Sequence, residues 1–202
     1  MPDYSYEKAA ETSGFNIICG VDEAGRGPLA GPVCAAAVIL PEDLEIEGLN
    51  DSKKLSEKKR EQLFDIIIEK AISYCVAYGT LEEIEEKNIL NATFLAMNRA
   101  IDGLNIKPDF ALIDGNKIPT GINVPAAAVV KGDAKSMSIA AASILAKVSR
   151  DRLLMEFDKK YPQYQFAKHK GYGTKLHTDL IKEFGPCEIH RLSFLKNILG
   201  EK

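Results

Sequence analysis

The amino-acid sequence predicts an α/β protein in which helices flank a β-sheet. Three short apolar runs, at positions 17–21, 110–113 and 124–130, have the composition of buried strands, and each leads within three residues to an acidic side chain. Segments of helical composition lie between most of these runs. Strands that alternate with helices are typical of an α/β sheet, and the acids that follow them are expected along one edge of it.

Five segments in all have strand composition. They are positions 17–21, 33–40, 72–79, 110–115 and 124–130. Apolar and small residues fill these segments, and glycine, proline or charged residues close them. The polar residues before the first strand, 1–14, are predicted to form a loose lead-in.

Three helices are predicted between and after the strands. Ser56 is a good N-cap for a helix of about 14 residues, and Glu57 stands in its first turn. A second helical region begins in the acidic segment 82–86 and ends near Pro108. A third helix, at positions 136–160, contains neither Gly nor Pro, and its alanines allow close packing against the sheet.

The composition is that of an ordinary globular protein with a net charge of −3. No apolar run is long enough to span a bilayer and the N-terminus shows no secretory signal, so a cytoplasmic protein without membrane contact is expected. Residues 131–191 hold 12 Lys and Arg against 7 Asp and Glu, a local charge of +5, which permits contact with nucleic acid. Reduced core cysteines are predicted, rather than a zinc site or disulfides, because no Cys-x-x-Cys pair is found among Cys19, Cys34, Cys75 and Cys187.

Four acids at the strand ends are the candidate metal ligands. Asp22 and Glu23 follow the first strand, Asp114 ends the fourth, and Asp133 comes soon after the fifth. Carboxylates brought together repel one another unless one is protonated or a multivalent cation intervenes. A solvated turn is the alternative for the Asp22–Glu23 pair, and a helix N-cap is the alternative for Asp133.

A glycine-rich turn, 25–31, follows the first pair of acids. It fits the G-x-G-x-x-G/A dinucleotide pattern, but a second strand follows where that motif requires a helix. Gly25 and Gly27 instead permit another molecule to approach bare backbone. The polar loop Asn50–Lys54, just before a helix N-terminus, is either a phosphate contact or a solvated loop.

Two further polar features lie in the C-terminal half of the chain. Ser143, Lys147, Arg150 and Asp151 form a stripe at helical spacing, for which an intrahelical Lys147–Asp151 pair is the simpler account. Between positions 164 and 177, basic residues alternate with aromatic ones, including Tyr172, in a pattern that suits a phosphate backbone and a stacking ring.

Together these segments resemble the ribonuclease HII family, the bacterial-type RNase H2 enzymes. The motifs are Asp22-Glu-Ala-Gly-Arg-Gly-Pro, Asn50-Asp-Ser-Lys-Lys-Leu, Leu112-Ile-Asp-Gly, Val130-Lys-Gly-Asp, Ser143-Ile-Leu-Ala-Lys-Val-Ser-Arg-Asp, His169-Lys-Gly-Tyr-Gly-Thr and His190-Arg-Leu-Ser-Phe. The resemblance implies an RNase H-like mixed β-sheet flanked by helices in a catalytic domain of residues 1–160. It also implies a small helical C-terminal subdomain, 161–202, that carries the Tyr172 loop.

The resemblance further implies an endoribonuclease that hydrolyses RNA in RNA–DNA hybrids and cuts 5′ of single ribonucleotides in duplex DNA, leaving a 3′-hydroxyl and a 5′-phosphate. The catalytic and metal-binding acids carried over by position are Asp22, Glu23, Asp114 and Asp133. They would hold Mg²⁺ or Mn²⁺, with two ions present when substrate is bound. On one side of the two-ion arrangement the attacking water would be activated, and on the other side the leaving 3′-oxygen would be stabilised.

Substrate contacts are also implied. The backbone of Gly25, Arg26 and Gly27 and the hydroxyl of Tyr172 would read the 2′-hydroxyl of the ribonucleotide. Further phosphate contacts are predicted at Asn50, Ser52, Lys53, Lys147, Arg150 and Lys175. The segment 196–202 lacks the clamp-binding peptide of some archaeal relatives, so no clamp contact is implied, and a monomer is the default expectation.

Two other functions remain open from the sequence. The first is a Mg²⁺-dependent phosphatase of a small phosphorylated metabolite, which would also cluster acids but would not need the basic Tyr172 loop. The second is a non-catalytic module that binds RNA–DNA hybrids, in which four acids would repel phosphate unless metal is bound.

Overall fold

The computed structural model describes residues 1–200. Glu201 and Lys202, the end of the segment in which no clamp-binding peptide is expected, lie outside the described residues. The strands are β1 Ile18–Ala24, β2 Val33–Ile39, β3 Ser73–Gly79, β4 Phe110–Asp114 and β5 Ala126–Val129. The helices are α1 Ser5–Thr12, α2 Glu57–Lys70, α3 Leu81–Asp102, α4 Met137–Lys160, α5 Phe166–His169, α6 Lys175–Phe184 and α7 Leu192–Leu199.

The strands form one mixed five-stranded sheet in the order β3-β2-β1-β4-β5. β2 pairs antiparallel with both β1 and β3, whereas β4 pairs parallel with both β1 and β5. The predicted fold class, a mixed sheet flanked by helices, is confirmed. β1 runs through Asp22 and Glu23 rather than ending before them, because Glu23 and Ala24 stay paired with Ala35 and Cys34 of β2.

Helices cover both faces of the sheet. α2 and α4 bury one face in a core that includes Leu63, Phe64 and Leu145, and α3 buries the other. The predicted N-cap of α2 is confirmed, since the hydroxyl oxygen of Ser56 accepts the N–H of Lys59 at 3.2 Å. The hydroxyl oxygen of Ser136 accepts the N–H of Ile139 at 3.2 Å and caps α4 in the same way.

α4 lies directly on β1 because Gly20 has no side chain. A Cβ atom at Gly20 would lie 2.1 Å from the carbonyl carbon of Ser138, which is backbone and cannot move aside cheaply. Asp22 is two positions after Gly20 on β1, so both residues face the α4 side of the sheet. The close packing thus brings the N-terminal turns of α4 next to the end of the strand that carries the acids.

Two predictions from the sequence are wrong. Residues 1–14 are not a loose lead-in: they contain α1, whose Glu7 is buried and accepts the hydroxyl protons of Ser136 and Ser138 at 2.6 Å. Asp133 is not the N-cap of α4, because Ser136 occupies that position and Asp133 lies in a preceding 3-10 turn.

The chain after α4 is helical and packs on the sheet domain through a separate apolar cluster. Tyr164 and Phe166 of the C-terminal part contact Ala30 and Leu154 in this cluster. The proposed boundary between residues 160 and 161 stays a prediction. The four cysteines are free, with two buried and two partly buried. Among residues 1–200, no helix is long and apolar enough to cross a membrane.

Candidate active site

Neighbouring strands bring Asp22 and Asp114 together. β1 and β4 run parallel, and Val21 is the partner of Ile113, so the next residue on each strand is an acid. Asp22 is only 4% exposed, and its Oδ1 accepts the N–H of Glu23 at 2.7 Å. Two carboxylates therefore stand side by side where the central strands leave the core.

The turn after β5 adds Asp133. Lys131 adopts the left-handed conformation with φ 58°, and the following 3-10 turn carries Asp133 back to Asp114. The N–H of Gly132 donates to Asp114 Oδ1 at 2.6 Å. Glycine leaves room for this contact, since a Cβ would lie 2.6 Å from Ile139 Cδ1 and 3.2 Å from that carboxylate oxygen.

Burial and neighbouring carboxylates raise the pKa of Asp22, Glu23 and Asp133. Burial raises the pKa of Asp22 well above its ordinary value, and the charges of Glu23 and Asp114 raise it further. Burial likewise raises the pKa of Glu23, against the charge of Arg26. Burial and then the charge of Asp114 raise the pKa of Asp133. A cluster in which the charged forms disfavour one another attracts positive charge.

Two basic side chains partly balance this cluster. Lys53 Nζ lies 3.7 Å from Asp133 Oδ2, and Arg26 Nη1 lies 3.5 Å from Glu23 Oε1. The side chain of Lys53 is 81% exposed, so it can leave without loss of buried contacts. Although burial lowers the pKa of Lys53, the carboxylates of Asp133 and Asp22 raise it by more.

The donor set suits a hard divalent cation. Mg²⁺ and Mn²⁺ prefer carboxylate and water oxygens, and this cluster supplies carboxylates alone. Within residues 1–200, no group of three or more Asp, Glu, His or Cys side chains has an arrangement that could by itself hold a metal ion. The support for a cation here is therefore the oxygen chemistry of the donors and the mutual repulsion of the carboxylates. The residues that would hold the ion are Asp22, Glu23, Asp114 and Asp133.

Asp51 is a neighbour of the cluster that was not predicted from the sequence. The charge of Asp51 raises the pKa of Asp133, and its Oδ1 accepts the N–H of Lys53 at 2.9 Å. Asp51 is one position from two predicted phosphate contacts, but nothing in the sequence indicates that its loop folds over the turn after β5. Ser143 of α4 was seen only as part of a polar stripe; its hydroxyl lowers the pKa of Asp22.

The glycine-rich turn of residues 25–31, the glycine loop, lies beside the loop that contains Tyr172. The N–H of Leu29 donates to the carbonyl of Gly171 at 2.8 Å, which places Tyr172 next to the turn that begins at Gly25. The ring of Tyr172 is exposed, and Lys147 Nζ lies 5.6 Å from its centroid. The structure thus brings an aromatic hydroxyl and exposed backbone to one surface.

Arg150 is not a phosphate contact, which corrects the prediction. Its side chain is 1% exposed, and its guanidinium donates to the carbonyls of Ala30, Pro32 and Lys170 at 2.8, 3.1 and 2.9 Å. It occupies space left by Gly25, where a Cβ would lie 2.0 Å from Arg150 Nε. Arg150 is a structural residue of the glycine loop.

The other residues predicted to contact phosphate differ in how far they are exposed to solvent. Ser52 is buried and its hydroxyl accepts from Ser143 at 2.8 Å, so it faces the core. Lys147 is paired with Asp151 at 2.7 Å, which is the simpler account given for the stripe. Asn50 is partly buried and caps the N–H of Asp51, and the largely exposed Lys175 pairs with Asp179. Lys53 and Lys175 both lie at the surface, where each is paired with a carboxylate.

The buried histidines His169, His177 and His190 lie under the Tyr172 loop, and His169 Nδ1 accepts the N–H of Gly171 at 3.2 Å. His190 Nδ1 accepts the N–H of Cys187 at 2.9 Å, so its Nε2 carries the proton and donates to His177 Nε2 at 3.1 Å. His177 Nδ1 in turn donates to the Tyr172 carbonyl at 3.0 Å. Burial lowers the pKa of both His177 and His190 to about 4, so both imidazoles are neutral near pH 7.

Comparison with known protein families gives a match to the Ribonuclease HII model over residues 19–197. A ribonuclease HII from Caldicellulosiruptor bescii is 59% identical over 198 residues, which cover 98% of this chain and 95% of that protein.

Solved structures show the same architecture. The ribonuclease H2 of Pyrococcus horikoshii OT3 matches with a TM-score of 0.76 and 28% identity, covering 92% of this chain and 98% of that one. Bst-RNase HIII, solved in complex with Mn²⁺, matches with a TM-score of 0.70 at 17% identity, covering 91% of this chain and 69% of that one. The second match bears on the fold alone.

Proposed function

This chain belongs to the ribonuclease HII family and is a ribonuclease of the H type that acts on RNA–DNA, and we propose that it cuts on the 5′ side of ribonucleotides, including single ones embedded in duplex DNA. The proposed products carry a 3′-hydroxyl and a 5′-phosphate. The proposed cofactor is Mg²⁺ or Mn²⁺, with two ions present when substrate is bound.

One observation carries the proposal. Asp22, Asp114 and Asp133 come from positions far apart in the chain, yet the charge of Asp114 raises the pKa of both Asp22 and Asp133 at one sheet edge. A protein gains nothing in stability from gathered carboxylates that repel one another. Their convergence is best explained by a cation that the reaction requires.

The chain's own residues have distinct proposed roles. Asp22 and Asp114, fixed by paired strands, and Asp133, fixed by its turn, hold their carboxylate oxygens towards the site of cleavage. Divalent ions bound there supply positive charge against the scissile phosphodiester and promote ionisation of the attacking water. Lys53 occupies the same negative region in the free protein, and it is placed to meet a phosphate once the acids are neutralised.

Recognition of the ribose is assigned to the glycine loop and Tyr172. Only the 2′-hydroxyl distinguishes a ribonucleotide from its neighbours in DNA. Arg26 and Gly27 are exposed, and the space around Gly27 is open, so a sugar can approach their backbone. The hydroxyl of Tyr172 lies on the same surface and supplies a second polar contact, while its ring packs on the next sugar.

The proposal is tested with a labelled DNA duplex that contains one ribonucleotide, incubated with Mg²⁺, with Mn²⁺ and with a chelator. We expect nicking on the 5′ side of the ribonucleotide in either metal and none in the chelator. A matched all-DNA duplex should stay intact. Binding without nicking in every metal tested would favour a hybrid-binding module, and release of phosphate from small esters alone would favour a phosphatase.

A further inference from the structure

Arg191 is a buried cation that has no carboxylate partner among residues 1–200. Its side chain is completely buried, and its guanidinium donates to four backbone carbonyl oxygens of the glycine loop. These are Gly25 at 2.6 Å, Arg26 at 2.9 Å, Pro28 at 2.8 Å and Gly31 at 2.9 Å. One side chain from the C-terminal part of the protein therefore fixes the path of a loop some 160 residues earlier in the chain.

These bonds set the direction of the loop's N–H groups. In a trans peptide the C=O and the following N–H point in opposite directions. The carbonyls of Gly25 and Arg26 point inward to Arg191, so the N–H groups of Arg26 and Gly27 point outward. Both residues are exposed, and neither N–H has a backbone acceptor within residues 1–200. The outer surface of the loop thus offers donors, while its acceptors are occupied.

Arg191 also joins this loop to the Tyr172 loop. Its own N–H donates to the carbonyl of Leu29 at 2.8 Å, and the N–H of Leu29 donates to the carbonyl of Gly171 at 2.8 Å. Gly171 lacks a side chain where a Cβ would lie 2.7 Å from the carbonyl oxygen of Ala30. The two parts of the ribose-recognising surface are therefore held in register through the backbone next to Arg191.

We propose that Arg191 is a positioning residue that sets discrimination between ribose and deoxyribose, by turning the carbonyls of Gly25 and Arg26 inward and leaving the N–H groups of Arg26 and Gly27 to meet a 2′-oxygen. This inference rests on the proposed function. The contact it assigns is from protein donor to sugar acceptor, so the 2′-hydroxyl oxygen accepts and its proton is left for another partner. Arg191 does not touch the substrate itself.

The experiment compares wild type with Arg191→Lys and Arg191→Ala in the presence of Mg²⁺. For each protein, KM and kcat are measured on a duplex with one ribonucleotide, and the inhibition constant is measured for an all-DNA duplex of the same sequence. A lysine ammonium keeps the charge but cannot reach four carbonyls in a fixed fork. We expect the KM for the ribonucleotide substrate to rise on the order of tenfold, as for loss of a hydrogen bond or two. The inhibition constant should stay unchanged.

A matched control separates positioning from general stability. Leu63→Ala removes a fully buried side chain of α2, far along the chain from the glycine loop, and lowers stability without touching Arg191. We expect this variant to keep the wild-type ratio of KM to inhibition constant. Methylguanidinium should restore the ratio in Arg191→Ala, and methylammonium should not.

The outcomes distinguish the two proposals. Wild-type discrimination retained in both Arg191 variants would overturn the role of Arg191 while leaving the proposed function intact, and so would an equal loss in Leu63→Ala. Failure of wild type itself to nick or to prefer the ribonucleotide duplex would overturn both.

Discussion

Replacing Asp22 with Asn is expected to lower the rate of ribonucleotide nicking by about a thousandfold or more, since even outer-shell partners of metal ligands typically cost about 10- to 100-fold. An amide keeps an oxygen that can accept the N–H of Glu23, so the strand end stays in place. It does not keep the negative charge that attracts the cation. Initial rates in saturating Mg²⁺ measure the effect.

The same substitution should stabilise the metal-free protein. Burial and the charges of Glu23 and Asp114 raise the pKa of Asp22 in the folded state. A raised pKa means that the folded protein binds this proton more readily than the unfolded chain does. The contribution of this group to stability therefore increases as the pH falls through the raised pKa towards the ordinary value of the unfolded chain. Asp22→Asn removes both the repulsion and this pH dependence, and its thermal midpoint in chelator at pH 7 should exceed that of wild type.

The control is Asp65→Asn, which changes an exposed acid on α2. It should leave both the nicking rate and the thermal midpoint close to wild type. Added Mn²⁺ should raise the midpoint of wild type and of Asp65→Asn but not that of Asp22→Asn. Wild-type turnover by Asp22→Asn would show that this acid is misassigned.

Replacing Gly20 with Ala is expected to cost at least about 3 kcal/mol of unfolding free energy, at the upper end of what overpacking a core typically costs. The new Cβ would overlap the backbone of Ser138, so α4 must move away from β1. Such a shift also displaces Ser143 from Asp22 and weakens the site. Urea denaturation monitored by circular dichroism measures the change.

Gly27→Ala is the matched variant for this prediction. Nothing lies within 4 Å of a Cβ built on Gly27, and its φ is not positive, so stability should change little. Its methyl group would nevertheless stand where the sugar approaches, and cleavage at a single ribonucleotide should fall. Equal stability loss in the two variants would contradict the packing role assigned to Gly20.

Much of the fold could be predicted because it depends on local signals. The apolar runs predicted five strands, and Ser56 predicted the start of α2. Helix α1 was missed because Glu7 is stabilised by serines 129 and 131 residues away, a contact that has no local signature. The order and direction of the strands likewise depend on pairing between distant segments.

The candidate site shows the same division. The four acids could be predicted as neighbours because each comes directly or soon after an apolar run of the sequence, and strand ends meet at a sheet edge. Arg150 was misread because its helical neighbours Lys147 and Asp151 are polar, and only the absence of a side chain at Gly25 makes room for a buried guanidinium. Arg191 gave no signal of its function, since the four carbonyls that it binds are backbone groups common to all residues.

The central claim is that carboxylates from β1, β4 and the turn after β5 bind divalent cations, and anomalous scattering from crystals grown with Mn²⁺ tests it most directly. We expect manganese peaks bonded to Asp22 and Asp114, with Glu23 and Asp133 as further ligands, and loss of the peaks in Asp22→Asn crystals. Well-ordered crystals of wild type with no manganese at these carboxylates, or with manganese bound only elsewhere, would contradict the account.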